Sequence, residues 1–150
     1  MKAAGPPSTS TEDYLERIYE LIEEKGYARA VDIAEALQIS QPSVTAMVQK
    51  LGEAGYLNYQ KYRGLTLTDK GRSVAAAIRQ RHQTLNRFFT LLDLPAPVQE
   101  RDIEGIEHCL SAATMSALAR LADFFEANPR VLRAFADFPS RTAARRTAGA

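Results

Sequence analysis

The chain has 150 residues, of which 45% are hydrophobic and 25% charged, and its net charge at pH 7 is +1. This composition is ordinary for a soluble globular protein of one domain or two small ones. No apolar run approaches the length of a membrane span, the first residues lack the apolar core of a signal peptide, and the single Cys109 excludes an internal disulfide framework. We therefore expect a cytoplasmic protein.

The charges are distributed unevenly along the chain. Residues 50–87 contain eight basic side chains against the acidic Glu53 and Asp69. Residues 88–128 contain seven acidic side chains against Arg101 and Arg120. This asymmetry predicts that one part of the protein faces a polyanion and another faces cations.

The first predicted element is a helix that follows a disordered N-terminus of residues 1–8. Thr9 or Ser10 can cap this helix, and its apolar face ends near Gly26. Asp13 and Glu16 lie one turn apart beside that face. By themselves they are typical of first-turn acids, which the helix dipole favours without any ligand.

Two short helices with a tight turn between them are predicted next. The first spans about residues 30–37, and the second begins after Ser40, a natural N-cap, with Pro42 in its first turn. A buried stripe of Val44, Met47, Val48 and Leu51 would leave polar side chains facing outward. This is a helix-turn-helix arrangement, whose second helix enters the major groove of DNA.

Two strands follow at about residues 55–60 and 65–68, with a basic turn between them. Helix-turn-helix, hairpin and local charge together predict a winged-helix DNA-binding domain over residues 9–72; a solvated hairpin tip is the alternative for the turn. The predicted DNA-binding residues are Gln41, Pro42, Ser43, Thr45, Gln49, Lys50, Lys61, Tyr62 and Arg63.

The remainder of the chain is predicted to be helical. A long helix over about residues 69–92 supplies a connecting segment at 73–92, and an all-helical domain occupies 93–139, before a basic flexible tail at 140–150. Its helices are expected at about 97–111, 114–127 and 129–138. The predicted fold class is mainly α, with an N-terminal winged helix-turn-helix and a small β-hairpin wing.

In the helix predicted at about residues 97–111, Glu104, Glu107 and His108 stand at i, i+3 and i+4 and so share one face. Two carboxylates and an imidazole on one face can chelate a divalent cation. An acidic solvated surface is the alternative, and His82 alone would be an ordinary, partly exposed histidine. Ile103, Ile106 and Leu110 form an apolar stripe beside the cluster.

Segments 21–29, 32–37, 61–65 and 104–108 closely resemble the manganese-responsive repressors of the diphtheria toxin repressor family, over about residues 9–138. The resemblance implies homodimerisation through the helical domain and binding to double-stranded operator DNA. It implies about two Mn²⁺ per subunit, with Fe²⁺ as a second candidate. The metal ligands that it implies are Asp13, Glu16, His82, Glu104, Glu107 and His108.

One departure from the family pattern lies beside these residues. The manganese branch commonly continues Glu-His-His, whereas this chain has Cys109 after His108. A continuing helix would place Cys109 about 100° from His108, where we expect buried packing and not ligation. We expect the protein to lack the SH3-like domain of the iron-responsive branch. We also expect Gly105 to admit a neighbouring helix.

The donor set suits manganese in chemical terms. Mn²⁺ binds weakly among divalent metals and prefers oxygen-rich sites, whereas thiolates favour zinc or copper. We therefore expect a manganese-activated repressor of metal-uptake genes in which metal ties the two halves of each subunit together. The alternatives are an iron-responsive repressor, a metal-independent winged-helix regulator and a carboxylate-bridged di-metal enzyme. We expect no enzymatic activity, membrane partner or small organic substrate.

Overall fold

The computed structural model describes residues 9–60 and 64–139. The predicted residues 1–8, the wing tip Lys61–Arg63 and the tail 140–150 lie outside the described residues. In chain order the elements are α1 (Thr9–Lys25), α2 (Ala30–Leu37), α3 (Gln41–Glu53), β1 (Leu57–Gln60), β2 (Gly64–Leu67), α4 (Asp69–Leu91), α5 (Ala96–Ile106), α6 (Ala112–Ala127) and α7 (Pro129–Ala136). The predicted fold class is confirmed. None of the described helices is long and apolar enough to cross a membrane.

Residue contacts divide the chain into two compact units, and the division falls between Gln80 and Arg81, within α4. The first unit has a core in which one apolar face of each helix is buried. Its fully buried side chains include Leu15 and Ile18 of α1, Ile33 of α2, and Val44 and Leu51 of α3. Burial of the predicted stripes therefore fixes which side of α3 remains exposed.

The turn between α2 and α3 is built from two local features. Gln38 ends α2 in the left-handed region at φ 55°. Ser40 then caps α3, because its Oγ accepts the N–H of Ser43 at 3.3 Å. The predicted N-cap is confirmed, and Pro42 lies in the first turn, where no helical N–H is needed.

The wing is an antiparallel two-stranded hairpin, and a single β-bridge joins Ala28 to Leu65 of β2. Leu57 pairs with Leu67 and Tyr59 with Leu65, and the N–H of Leu65 also donates to the carbonyl of Ala28 at 3.0 Å. Gly64 has φ +79°, and a Cβ placed there would lie only 2.7 Å from the oxygen of Ala28. Glycine at this position therefore allows segment 27–29 to pack against the wing.

Helix α4 begins directly against the base of the wing. Thr68 caps it: the hydroxyl accepts the N–H of Gly71 at 3.0 Å and donates to the carbonyl of Gly55 at 2.7 Å. Gly71 is buried, and a Cβ there would overlap the carbonyl oxygen of Tyr56. This close approach requires glycine, because the nearest atoms belong to the main chain of Tyr56, which cannot move aside as a flexible side chain could.

We expect Gly71→Ala to lower the free energy of unfolding by about 2 kcal/mol, the usual cost of forcing an extra carbon into packed surroundings. Gly105→Ala is the matched control, because a Cβ on Gly105 of α5 meets open space within the chain. That control should be neutral or stabilising by about 0.5–1 kcal/mol. Urea denaturation of both variants checks this, and equal stabilities would contradict it.

The second unit has its own smaller core. Leu85 of α4, Ile103 of α5 and Met115 of α6 are buried together, and Ile106 and Leu110 pack against them. The predicted apolar stripe beside the acidic cluster is therefore confirmed. It anchors the end of α5 to α4 and α6.

Two expectations about α5 are wrong. The helix ends at Ile106 instead of near Ser111, and Ser111 caps α6, since its Oγ accepts the N–H of Thr114 at 3.2 Å. Cys109 therefore lies in a turn and is exposed, not packed in the core. Within the described chain a Cβ on Gly105 would meet nothing within 4 Å, so the expected approach of a neighbouring helix stays a prediction.

Candidate functional site

The exposed side of α3 presents the polar residues that the sequence predicts for DNA contact. Gln41, Ser43, Thr45, Gln49 and Lys50 are all exposed, as is Pro42. Val44 and Leu51, at 0% and 1% exposure, hold the opposite face in the core. The helix thus offers amide, hydroxyl and ammonium groups, which can bond to base edges and phosphates.

Two of these side chains are oriented by bonds within the helix. The hydroxyl of Thr45 donates to the carbonyl of Gln41 at 3.0 Å, and the amide of Gln49 donates to the carboxylate of Glu53 at 3.3 Å. Both bonds are exposed, so water or a DNA group can replace them at low cost. The wing residues Lys61, Tyr62 and Arg63 are outside the described residues and remain predictions.

The second unit contains a buried carboxylate between two imidazoles. The Glu107 side chain is only 5% exposed, Nδ1 of His82 lies 3.0 Å from its Oε2, and Nε2 of His108 lies 3.5 Å from its Oε1. His82 comes from α4, whereas Glu107 and His108 follow the last residue of α5. The structure therefore brings together three of the six predicted metal ligands.

Arg81 holds the end of α5 in place. Its Nη1 donates to the carbonyl oxygen of Glu107 at 3.2 Å, and the N–H of Glu107 donates to the carbonyl of Ile103 at 2.9 Å. His82 was singled out from the sequence, whereas this role of Arg81, the residue directly before it, was missed. The position of Arg81 directly before a candidate metal ligand was the signal in the sequence that could have indicated this role.

The other three predicted ligands are placed as follows. Glu104 is exposed on α5, one helical turn before Glu107. Asp13 is exposed and Glu16 half-buried on α1, and these two belong to the first unit. In residues 9–60 and 64–139, no group of three or more His, Cys, Asp or Glu side chains is arranged as a ready-made metal cage.

The chemistry of the donors nevertheless fits a hard or borderline divalent cation. A buried carboxylate is costly unless it has partners, and here the nearby side-chain partners are imidazoles, which can themselves ligate metals. A carboxylate bonded to Nδ1 of a histidine leaves Nε2 available for metal, an arrangement common around protein metals. Burial raises the pKa of the phenol of Tyr14, which is beside Asp13 in the sequence.

Family models match both parts of the chain. The model described as iron dependent repressor, N-terminal DNA binding domain, covers residues 8–65, and the one described as iron dependent repressor, metal binding and dimerisation domain, covers residues 68–136. The chain is 48% identical over 135 residues to the HTH-type transcriptional regulator MntR of Geobacillus kaustophilus, spanning 90% of this chain and 96% of that one. It is 47% identical over 127 residues to the regulator of the same name from Lysinibacillus sphaericus, spanning 85% and 91%.

Solved structures share the fold. The metal-dependent transcriptional regulator MtsR superposes with a TM-score of 0.72 at 29% identity, and the manganese regulator SloR with 0.67 at 30%. In each case the match covers 76% of this chain and 54% of the other, so the chain spans about half the length of those structures.

A winged helix-turn-helix joined to a metal-binding and dimerisation domain defines a class of metal-dependent DNA-binding regulators. The chain belongs to the iron dependent repressor family within that class, the diphtheria toxin repressor family that its motifs resemble. The family membership that the sequence motifs indicated is confirmed.

Proposed function

We propose that this protein is a manganese-activated transcriptional repressor that binds operator DNA as a homodimer in the cytoplasm. One observation carries the proposal: a buried Glu107 flanked by His82 and His108, in the same chain as a winged helix whose polar face is exposed. The MntR relatives and the manganese regulator SloR support manganese over the other candidates. We also propose that the genes it represses are genes for metal uptake.

The proposed ligands are Asp13, Glu16, His82, Glu104, Glu107 and His108. Together they supply four carboxylates and two imidazoles and no sulfur, a set that suits Mn²⁺ and also accommodates Fe²⁺. Four negative charges would balance two divalent ions per subunit. When bound, the ions would supply the positive charge that draws these mutually repelling carboxylates together.

The ligands are distributed over both units, and this distribution is the basis of the proposed regulation. Asp13 and Glu16 belong to the unit that carries α3, whereas the other four belong to the helical unit. Joint ligation would make the placement of the DNA-binding unit depend on metal loading. In a dimer, this would fix the spacing of the two α3 helices for half-sites about one helical turn apart or a multiple of it.

Two of the alternative functions fit this protein less well than a metal-dependent regulator. A metal-independent winged-helix regulator would use Glu104 and Glu107 as surface, but Glu107 is buried. A di-metal enzyme would need a substrate site beside the ions, and the relatives are named as regulators. The proposal therefore assigns regulation, not catalysis, to this chain.

The direct test measures DNA binding with and without manganese. A duplex is selected from a random-sequence library by the Mn²⁺-loaded protein and titrated with protein in Mn²⁺ or in chelator. We expect affinity for the selected duplex to rise by about 5- to 150-fold with Mn²⁺, the range of ordinary allosteric coupling. Equal affinity in both conditions would refute manganese activation. A larger gain with Fe²⁺ under anaerobic conditions would favour the iron-responsive alternative.

A further inference from the structure

Segment 27–29 places two exposed side chains on the outer face of the wing. Ala28 is bridged to Leu65 of β2 and is 0% exposed. Because side chains alternate along an extended strand, Tyr27 and Arg29 must point to the opposite, solvent-facing side. Tyr27 is 38% exposed, and Arg29 is exposed as well.

The Arg29 guanidinium is held in a defined position. Its central carbon lies 4.8 Å from the centroid of the Tyr27 ring, a cation–π contact. In residues 9–60 and 64–139 the guanidinium contacts this ring and not a carboxylate, so its charge is not neutralised there. The planar group thus keeps its N–H donors available, with less side-chain entropy to lose on binding.

Arg29 lies next to both the wing and α2. Its Cγ lies 3.8 Å from where a Cβ on Gly64 would stand, and Gly64 directly follows the predicted phosphate-binding turn Lys61–Arg63. Arg29 is also the residue before α2, in extended conformation (φ −118°, ψ 154°), and its side chain makes no cap bond. Arg29 therefore lies beside the end of β2 that is nearer the hairpin turn and directly before the start of α2.

We propose that Arg29, stacked on Tyr27, binds a phosphate of the DNA backbone next to the wing. The inference rests on the proposed DNA-binding function and extends the contact surface beyond α3 and the hairpin tip. Bidentate arginine–phosphate bonding is strong and geometrically specific, and the stacked ring orients the fork before DNA arrives. A phosphate contact of this kind positions the protein without reading sequence.

The test compares Arg29→Ala with the parent protein in saturating Mn²⁺, on the selected duplex and on a scrambled duplex, over a series of salt concentrations. We expect Arg29→Ala to weaken binding to both duplexes by about three- to tenfold at low salt. The slope of log affinity against log salt should flatten by about 0.9 for each phosphate that the variant no longer neutralises. Arg130→Ala is the matched control, because it removes one exposed positive charge from α7, in the other unit.

Two further variants separate charge from orientation. Arg29→Lys keeps the charge and should keep the salt slope of the parent, while Tyr27→Leu keeps Arg29 but removes the ring and should weaken binding without changing the slope. Thermal unfolding midpoints close to that of the parent exclude loss of fold as the cause.

Affinity and slope of Arg29→Ala equal to those of Arg130→Ala would overturn the proposal, as would a weakening confined to the selected duplex. If the parent protein fails to bind DNA at all, both this inference and the proposed function fail. If parent and Arg29→Ala show the same Mn²⁺-dependent binding, only this inference fails.

Discussion

Glu107→Gln is expected to lower the affinity for Mn²⁺ by at least about 100-fold and to abolish manganese-dependent DNA binding. Changing groups that only orient metal ligands typically costs 10- to 100-fold in affinity, so loss of an anionic ligand should reach or exceed the upper end. Glu107 is the most buried of the proposed carboxylates and lies 3.0 Å from His82 and 3.5 Å from His108. Glutamine keeps the shape and one acceptor oxygen while removing the charge.

Calorimetric titration with Mn²⁺ measures the first effect, and binding to the selected duplex measures the second. Glu100→Gln is the matched control, because Glu100 is exposed on α5, the helix that Glu107 directly follows, and loses the same charge. The control should bind Mn²⁺ and DNA as the parent does. If Glu107→Gln responds to Mn²⁺ within a few-fold of the parent, the assignment of Glu107 as a ligand is refuted.

The first unit was predictable because its signals are local. Ser40 and Pro42 mark the start of α3, and the apolar stripe containing Val44 and Leu51 fixes its buried face. Such features act within one or two helical turns, and the observed helix begins at the predicted residue. The start of α4 is marked by a local bond of the same kind, since the hydroxyl of Thr68 accepts the N–H of Gly71.

The end of α5 was harder to predict from the sequence than the start of α3. No Gly or Pro follows Ile106 closely, so the apolar period appeared to continue to Leu110. The chain instead leaves the helix after Ile106, and Leu110 packs on the core from outside α5. The misplacement of Cys109 followed, because its expected orientation assumed an unbroken helix. Ser111 before a new periodic run was the signal for the next helix.

The candidate metal centre shows the same difference between local signals, which the sequence contains, and contacts between distant residues, which it does not. The spacing of Glu104, Glu107 and His108 indicated a shared site from the sequence, and the structure adds His82 from α4. Nothing in the spacing of residues separated by about 90 positions could connect Asp13 or Glu16 to them. Their inclusion came from the family resemblance and remains a prediction.

DNA and manganese should strengthen each other's binding by the same factor. If Mn²⁺ raises DNA affinity by a given factor, thermodynamic linkage requires the selected duplex to raise Mn²⁺ affinity equally, within the usual range of about 5- to 150-fold. Titrating Mn²⁺ into the protein with and without the duplex measures this factor directly. A scrambled duplex should give a smaller one, because it offers no correctly spaced half-sites.

Asp13→Asn tests where that coupling originates. The variant removes a proposed ligand from the DNA-binding unit and leaves His82, Glu104, Glu107 and His108 unchanged. We therefore expect it to retain weakened Mn²⁺ binding while both coupling factors fall towards one. Glu23→Gln, on the exposed surface of the same helix, should keep the parent's coupling. Full coupling in Asp13→Asn would mean that α1 does not transmit metal loading to the DNA-binding unit through this carboxylate. The regulation would then have to arise within the helical unit, for example through dimerisation alone, and Mn²⁺ would change the dimer's dissociation constant in the absence of DNA.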